Sequence, residues 1–190
     1  MTHDFDQPYW EQHWRQAPRH AAGAPNPHLV RETADLPPGT ALDAGCGRGA
    51  EARWLATRGW AVTAVDIAAE ALDDAPGVRW VRADLTTWTP GTAFELVTTH
   101  YAHPSMPQLA FYDRVAGWVA PGGTLLIVGH GGQHAHAPVT PEAVTARLDP
   151  SAWTVVTAAE HVREVPGRSV PLHDVVVRAR RRGGIDRPER

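Results

Sequence analysis

Seven residues, Asp43, Ala44, Gly45, Cys46, Gly47, Arg48 and Gly49, constrain this chain more than any other segment. They follow a short apolar run at residues 40–43 and precede a helical pattern that starts near Gly49. A chain that leaves a parallel strand and enters a helix within so few residues needs a backbone that glycine adopts without a Cβ clash. The first amides of the helix then face whatever binds at the turn. Gly45-x-Gly47-x-x-Ala50 fits the fingerprint of a dinucleotide cradle, in which the last glycine can be alanine. Asp43 argues against that ligand. A carboxylate two residues before the first glycine repels a pyrophosphate but suits an ammonium.

Two more acids fall in step. Residues 60–65 form a buried-strand pattern that ends in Asp66, where a carboxylate can accept both hydroxyls of a ribose. Residues 78–83 repeat the form and end in Asp84 and Leu85, an acid for an adenine amino group and an apolar side chain for its ring. S-adenosylmethionine (SAM) carries an ammonium, a ribose and an adenine, and no phosphate. With these residues goes a resemblance. Residues 43–49, Ala64-Val-Asp66-Ile67, Ala83-Asp84-Leu85, Phe94-Glu-Leu-Val97 and Ala120-Pro-Gly-Gly-Thr-Leu-Leu-Ile127 resemble the class I SAM-dependent methyltransferases in order and spacing. The likeness is greatest to short members acting on small molecules, the thiopurine and tellurite-resistance types. It implies an α/β fold with a doubly wound, Rossmann-like seven-stranded sheet of order 3-2-1-4-5-7-6, strand 7 antiparallel. It also implies SAM as cofactor, with Asp43, Gly45 and Gly47 at the methionine end and Cys46 packed beside them. Asp66 takes the ribose, Asp84 and Leu85 the adenine, and Ile67 the adenine face, while Thr99 forms the floor beneath the sulfonium.

At 190 residues the chain reads as one domain, with residues 1–36 a helical lid, 37–182 an α/β core and 183–190 a solvated tail. The second domain that a nicotinamide-dependent oxidoreductase would usually need does not fit in this length. Net charge is −3 and no basic stripe precedes the extreme C-terminus, which weighs against nucleic acid as substrate. All 18 basic residues other than histidine are arginine. Schiff-base chemistry and a Walker-type phosphate lysine are thereby excluded. Cys46 is the single cysteine, which suits a reducing cytoplasm, and the first residues lack both the basic start and the apolar run of a targeting segment or membrane anchor.

Along the chain, helices are expected at residues 8–16, 28–35, 50–58, 68–74, 108–119 and 140–148, the last with Thr140 as N-cap and Pro141 at the first helical position. In the first, Tyr9, Trp10, His13 and Trp14 recur every three to four residues, so one face is aromatic. That face docks the helix on the domain, and as a lid it places Trp10 and Trp14 against the cofactor. From Asp84 to Ala93 the chain has nine Cα steps, at most about 30 Å, to cover a diagonal of roughly 24 Å. No full helix fits, so an extended or single-turn crossing with Trp88 covering the sheet is expected. The alternating runs 153–163 and 172–180 pair as a terminal antiparallel hairpin, whose outer strand is available for pairing with a second copy in a homodimer.

In an open α/β sheet, ligands bind at the carboxyl ends of the strands. His100 and His103 follow the fourth strand and His130 the fifth, with Tyr101 among them, so these four are the candidate catalytic residues. Displacement from a sulfonium needs alignment, exclusion of water and, for a neutral OH or NH acceptor, a base; imidazole suits that task. His130, His134 and His136 also invite a metal, but Gly131 and Gly132 argue for a solvated loop, and no metal is expected. The expected function is methylation of a small-molecule acceptor, with no partner of nucleic acid or membrane. The alternatives are a SAM-binding protein without transfer activity and a nicotinamide-dependent oxidoreductase.

Overall fold

The computed structural model describes residues 5–17, 23–132, 139–164 and 171–183. Its centre is a seven-stranded sheet. Across its width run β3 (Val78–Arg82), β2 (Ala61–Asp66), β1 (Thr40–Ala44), β4 (Phe94–His100), β5 (Val119–His130), β7 (Leu172–Arg181) and β6 (Trp153–Arg163). The first five strands pair in parallel, and β7 is antiparallel to both neighbours. This is the order and the strand polarity that the sequence led us to expect.

Period-two alternation divides the strand residues between two apolar layers. Leu42, Val97, Leu125, Ile127, Val175 and Val177 pack with α4 (Gln108–Ala116) and α5 (Pro141–Thr145). Their neighbours Ala41, Leu96, Leu126, Val128 and Val176 pack with α2 (Pro27–Glu32) and α3 (Ala50–Thr57). Both faces of the central strands are covered, so those strands are continuous apolar runs.

The N-terminal helix, α1 (Gln7–Gln16), starts where Asp6 accepts the Tyr9 amide, and it buries none of its residues fully. It lies across the carboxyl edge of the sheet and is held by specific contacts more than by a core. The crossing from β3 to β4 makes one turn, in which the Thr87 and Trp88 amides donate to the Asp84 carbonyl. Trp88 stands edge-on to Trp118 at 5.6 Å and packs on the core. Arg114 of α4 pins the crossing by donating to the carbonyls of Leu85 and Trp88.

Several boundaries differ from expectation. The helix expected at 68–74 is a single 3-10 turn, Ala69–Ala71, after which Leu72 is extended (φ −71°, ψ 151°). Carboxylates replace the helical acceptors there: Asp66 takes the Ala68 amide, and Glu11 of α1 takes those of Ala69 and Glu70. Seven residues before a proline would in any case form a marginal helix. Helix α2 ends at Glu32 and α5 at Thr145, both shorter than expected, while α4 stops at Ala116 and Val119 already belongs to β5. The connection between β6 and β7 lies outside the described residues. Among the described residues, no helix is long and apolar enough to cross a membrane.

Candidate cofactor and acceptor site

A cavity of about 470 Å³ opens at the carboxyl ends of β1, β2, β4 and β5, roofed by Phe5 and by Trp10, His13 and Trp14 of α1. The glycine turn forms its floor. Both Gly45 and Cys46 donate their amides to the Val65 carbonyl at 2.9 and 3.0 Å, folding the chain back over β2. Backbone φ is +78°, +48° and +70° at Gly45, Gly47 and Gly49, values that side-chain-bearing residues rarely adopt. Space is equally decisive. A Cβ on Gly45 would lie 2.5 Å from that of Ala102, and one on Gly47 2.8 Å from the Trp14 ring. The missing side chains therefore let α1 and the loop after β4 close onto the turn, as well as freeing its backbone.

Charge is concentrated at this end. Asp43, Glu51 and Asp66 all line the cavity. Burial pushes the Asp43 carboxyl well above its usual range, and the neighbouring Glu51 and Asp66 push it further, against an opposing hydrogen bond from the Ala52 amide. Its Oδ2 is buried and has no hydrogen-bond partner. Asp66 is also raised by burial, although it accepts the Gly47 and Ala68 amides at 2.9 and 3.0 Å. Burial followed by these carboxylates pushes the Cys46 thiol well up, so Cys46 is a small apolar wall and not a thiolate. The arginine that lines the cavity, Arg48, donates to the carbonyls of Glu70, Trp14 and Ala17. A ligand bringing positive charge here would satisfy Asp43 and relieve the mutual repulsion of the acids; a pyrophosphate would aggravate it.

Ile67, Asp84 and Leu85 line the cavity beyond Asp66. Asp84 Oδ1 accepts both the amide and the hydroxyl of Thr86. Trp10 donates its indole N–H to the His103 carbonyl, and Trp14 lies under the Arg48 guanidinium, 5.5 Å from ring centre to carbon. Glu11 completes the attachment of α1 by accepting from Arg82 as well as from the Ala69 and Glu70 amides.

His100, Tyr101, His103 and His130 meet at the other end of the cavity. His100 is held neutral, its pKa lowered to about 4 chiefly by burial. Its Nδ1 is buried without a partner, and Nε2 lies 3.5 Å from Thr98 Oγ1. Two expectations are corrected. Tyr101 contributes its ring to the wall, but its hydroxyl donates to buried Asp174 at 2.7 Å and accepts from Asn26 and Arg163. That fills the capacity of a hydroxyl, and burial followed by Asp174 lifts its pKa to about 12. Tyr101 is thus a structural wall and no acid or base. Thr99 does not line the cavity at all: it is buried, on the opposite side of β4 from Thr98 and His100. Strand alternation places His100, not Thr99, at the cavity.

Sequence reasoning missed Phe5, Arg48, Glu51, Ala102 and Phe111 as lining residues. Only Glu51, an acid in the first turn after the glycines, carried a local signal. It missed equally the cluster behind Tyr101, where Asp174 also receives His28 at 3.1 Å and Arg163 at 2.8 Å. His134 and His136 lie outside the described residues. Among the described residues, no three His, Cys, Asp or Glu side chains converge as a metal site.

A doubly wound sheet of this order, with a glycine turn after β1, acids at the ends of β1 and β2 and Asp84 just beyond β3, defines the class I methyltransferase architecture. Residues 41–123 match the family described as a methyltransferase domain. An uncharacterized methyltransferase of Mycobacterium tuberculosis is 34% identical over 140 residues, 69% of this chain and 66% of that protein. Trans-aconitate 2-methyltransferase of Rhizobium meliloti is 32% identical over 106 residues, which make up 52% of this chain and 41% of that enzyme. A protein solved in work on the conversion of a disulfide bond into a thioacetal group during echinomycin biosynthesis superposes with a TM-score of 0.69. It is 20% identical, over 95% of this chain and 93% of its own. The chain belongs to the class I SAM-dependent methyltransferases.

Proposed function

We propose that the chain binds SAM in this cavity and methylates a small-molecule acceptor. One observation carries the proposal: a buried acidic cluster, with the Asp43 oxygen left unpartnered, sits beside a glycine turn. That combination suits an ammonium and a sulfonium and is unfavourable for the phosphates of a nicotinamide cofactor. When bound, SAM supplies an activated methyl group on a cationic sulfur.

Asp43, with Gly45, Cys46 and Gly47, holds the amino-acid end. Asp66 keeps lone pairs for the ribose beside its backbone hydrogen bonds. Ile67, Asp84 and Leu85 enclose the adenine, and Trp10 and Trp14 close the roof, excluding water. His100 orients rather than deprotonates. Taking a proton from an acceptor of pKa about 9 onto an imidazole at about 4 would cost roughly 7 kcal/mol. An acceptor that ionises readily, or whose proton passes to His103 or His130, is therefore favoured. The assignments of Asp43 through Leu85, and of His100, His103 and His130, rest on cavity geometry and residue chemistry.

Calorimetric titration tests this. Micromolar binding of SAM and of its demethylated product S-adenosylhomocysteine, lost in Asp43→Ala, and no binding of NAD, are expected. Tight NAD binding or indifference to the Asp43 substitution would overturn it.

A further inference from the structure

The segment after β4 breaks a rule that the strand itself obeys. Along an extended strand only alternate residues face one side, yet the consecutive residues 100–105 all line the cavity. The break falls at Tyr101, whose φ of +53° makes it the one non-glycine residue with a left-handed backbone among the described residues. A bulky side chain adopts that region at a cost, and stays there only where its surroundings hold it. The turn closes the cavity on two sides. It sets Ala102 against Gly45, where an added Cβ would lie 2.5 Å from that of Ala102. It also presents the His103 carbonyl to the indole N–H of Trp10 at 3.2 Å.

What holds the turn is a clamp on the Tyr101 hydroxyl. That hydroxyl donates to Asp174 at 2.7 Å and accepts from Arg163 at 3.1 Å and from the Asn26 side-chain amide at 3.2 Å. The Tyr101 backbone N–H is fixed too, donating to the Val128 carbonyl at 2.8 Å. Asn26 is buried and does not line the cavity, but its own backbone N–H donates at 2.9 Å to Glu51 on the glycine-turn wall. Its side-chain oxygen accepts the His28 amide and caps α2. One residue thereby joins the wall that carries Glu51 to the wall that carries Tyr101. We propose that Asn26 and Tyr101 are positioning residues of the acceptor side: with Asp174 they hold the left-handed turn that sets His100 and His103 along the cavity. The proposal rests on the methyltransferase reading of this cavity. In-line displacement is sensitive to alignment, and the hydroxyl, engaged by three partners, acts through the neighbouring imidazoles and not on the acceptor itself.

Two substitutions release the clamp without touching the glycine turn. Tyr101→Phe keeps the ring and removes the hydroxyl. Asn26→Ser keeps the backbone bond to Glu51 and a good cap for α2, while its shorter side chain no longer reaches Tyr101. Calorimetry should find S-adenosylhomocysteine affinity within about twofold of wild type in both. In the loaded protein, NMR titration should show the His100 pKa rising from about 4 toward 6.5, by about one unit or more, as the loop admits water. The His130 ring protons should lose the shift imposed by the Tyr101 ring stacked 4.5 Å away. Denaturation midpoints alongside tell a loosened loop from an unfolded chain. A wild-type His100 titration with wild-type His130 shifts in either folded variant would overturn the proposal. So would a loss of S-adenosylhomocysteine affinity in step with the imidazole changes, which would move the role of the clamp to the cofactor wall. Failure of the wild-type protein to bind S-adenosylhomocysteine would instead overturn the cofactor assignment.

Discussion

Asp43 is costly to the folded protein and useful to its site. A carboxyl held above its ordinary pKa by burial destabilises the fold once the unfolded chain ionises freely. Below its ordinary value of 3.8 both states are protonated and the penalty vanishes; it grows as pH rises above 3.8 toward the raised folded value. Asp43→Asn should therefore stabilise the ligand-free protein by roughly 1–3 kcal/mol at pH 7, with no gain near pH 3.5, while SAM binding falls at least tenfold. Denaturant melts at the two pH values, with calorimetry alongside, read both effects. His100 has the opposite sign. Its folded pKa of about 4 lies below the ordinary 6.5, so acid favours the unfolded chain between those values. By pH 5 the loss reaches about 2 kcal/mol. Relative to wild type, His100→Gln should gain stability as pH falls from 7.5 to 5, and parallel melting curves would refute the assignment.

Among the described helices, α1 is the one least supported by packing, since it buries none of its residues. Its attachment rests on Glu11 with the Ala69 and Glu70 amides, on Arg48 with the Trp14 and Ala17 carbonyls, and on the aromatic contacts. Segments held this way open at low free energy. Glu11→Ala should speed amide exchange in α1 and at residues 69–70 while the strands stay protected, and should raise the KM for SAM several-fold with little change in kcat. Uniform exchange across the protein would mean that α1 does not open separately. At Gly47, alanine would be strained twice, by a φ of +48° and by the Trp14 ring 2.8 Å from the new Cβ. The existence of α1 and its aromatic face were legible, because three-to-four spacing of Tyr9, Trp10, His13 and Trp14 is local. Its latch was not, since Glu11 meets residues almost sixty positions away.

Across the whole molecule, Asp174 ties the terminal hairpin to the loop after β4 and to α2. It is fully buried, and burial opposes its charge, but Arg163 and Tyr101 hold its carboxyl below the ordinary value. Removing one side of such a buried charged network costs about 3–5 kcal/mol, so Asp174→Ala should lower the global denaturation midpoint strongly. Tyr101→Phe, which leaves Arg163 and His28 on the carboxylate, should cost far less. The sequence by itself determined the sheet order, the glycine turn and the acids at successive strand ends. Those follow from short-range rules of turn backbone, period-two burial and loop reach, with the resemblance to a family supplying the topology. Tertiary structure alone decided which parity of β4 faces the cavity, and so set His100 in place of Thr99. It also decided that the Tyr101 hydroxyl turns away to Asp174, 73 residues distant, and that rings from the segment before α1, the loop after β4 and the end of β5 come together. The physical reason is that the alternation of a strand specifies two faces without naming them. Hydrogen-bond and ring partners far apart in the chain are chosen only when the packed layers bring them together.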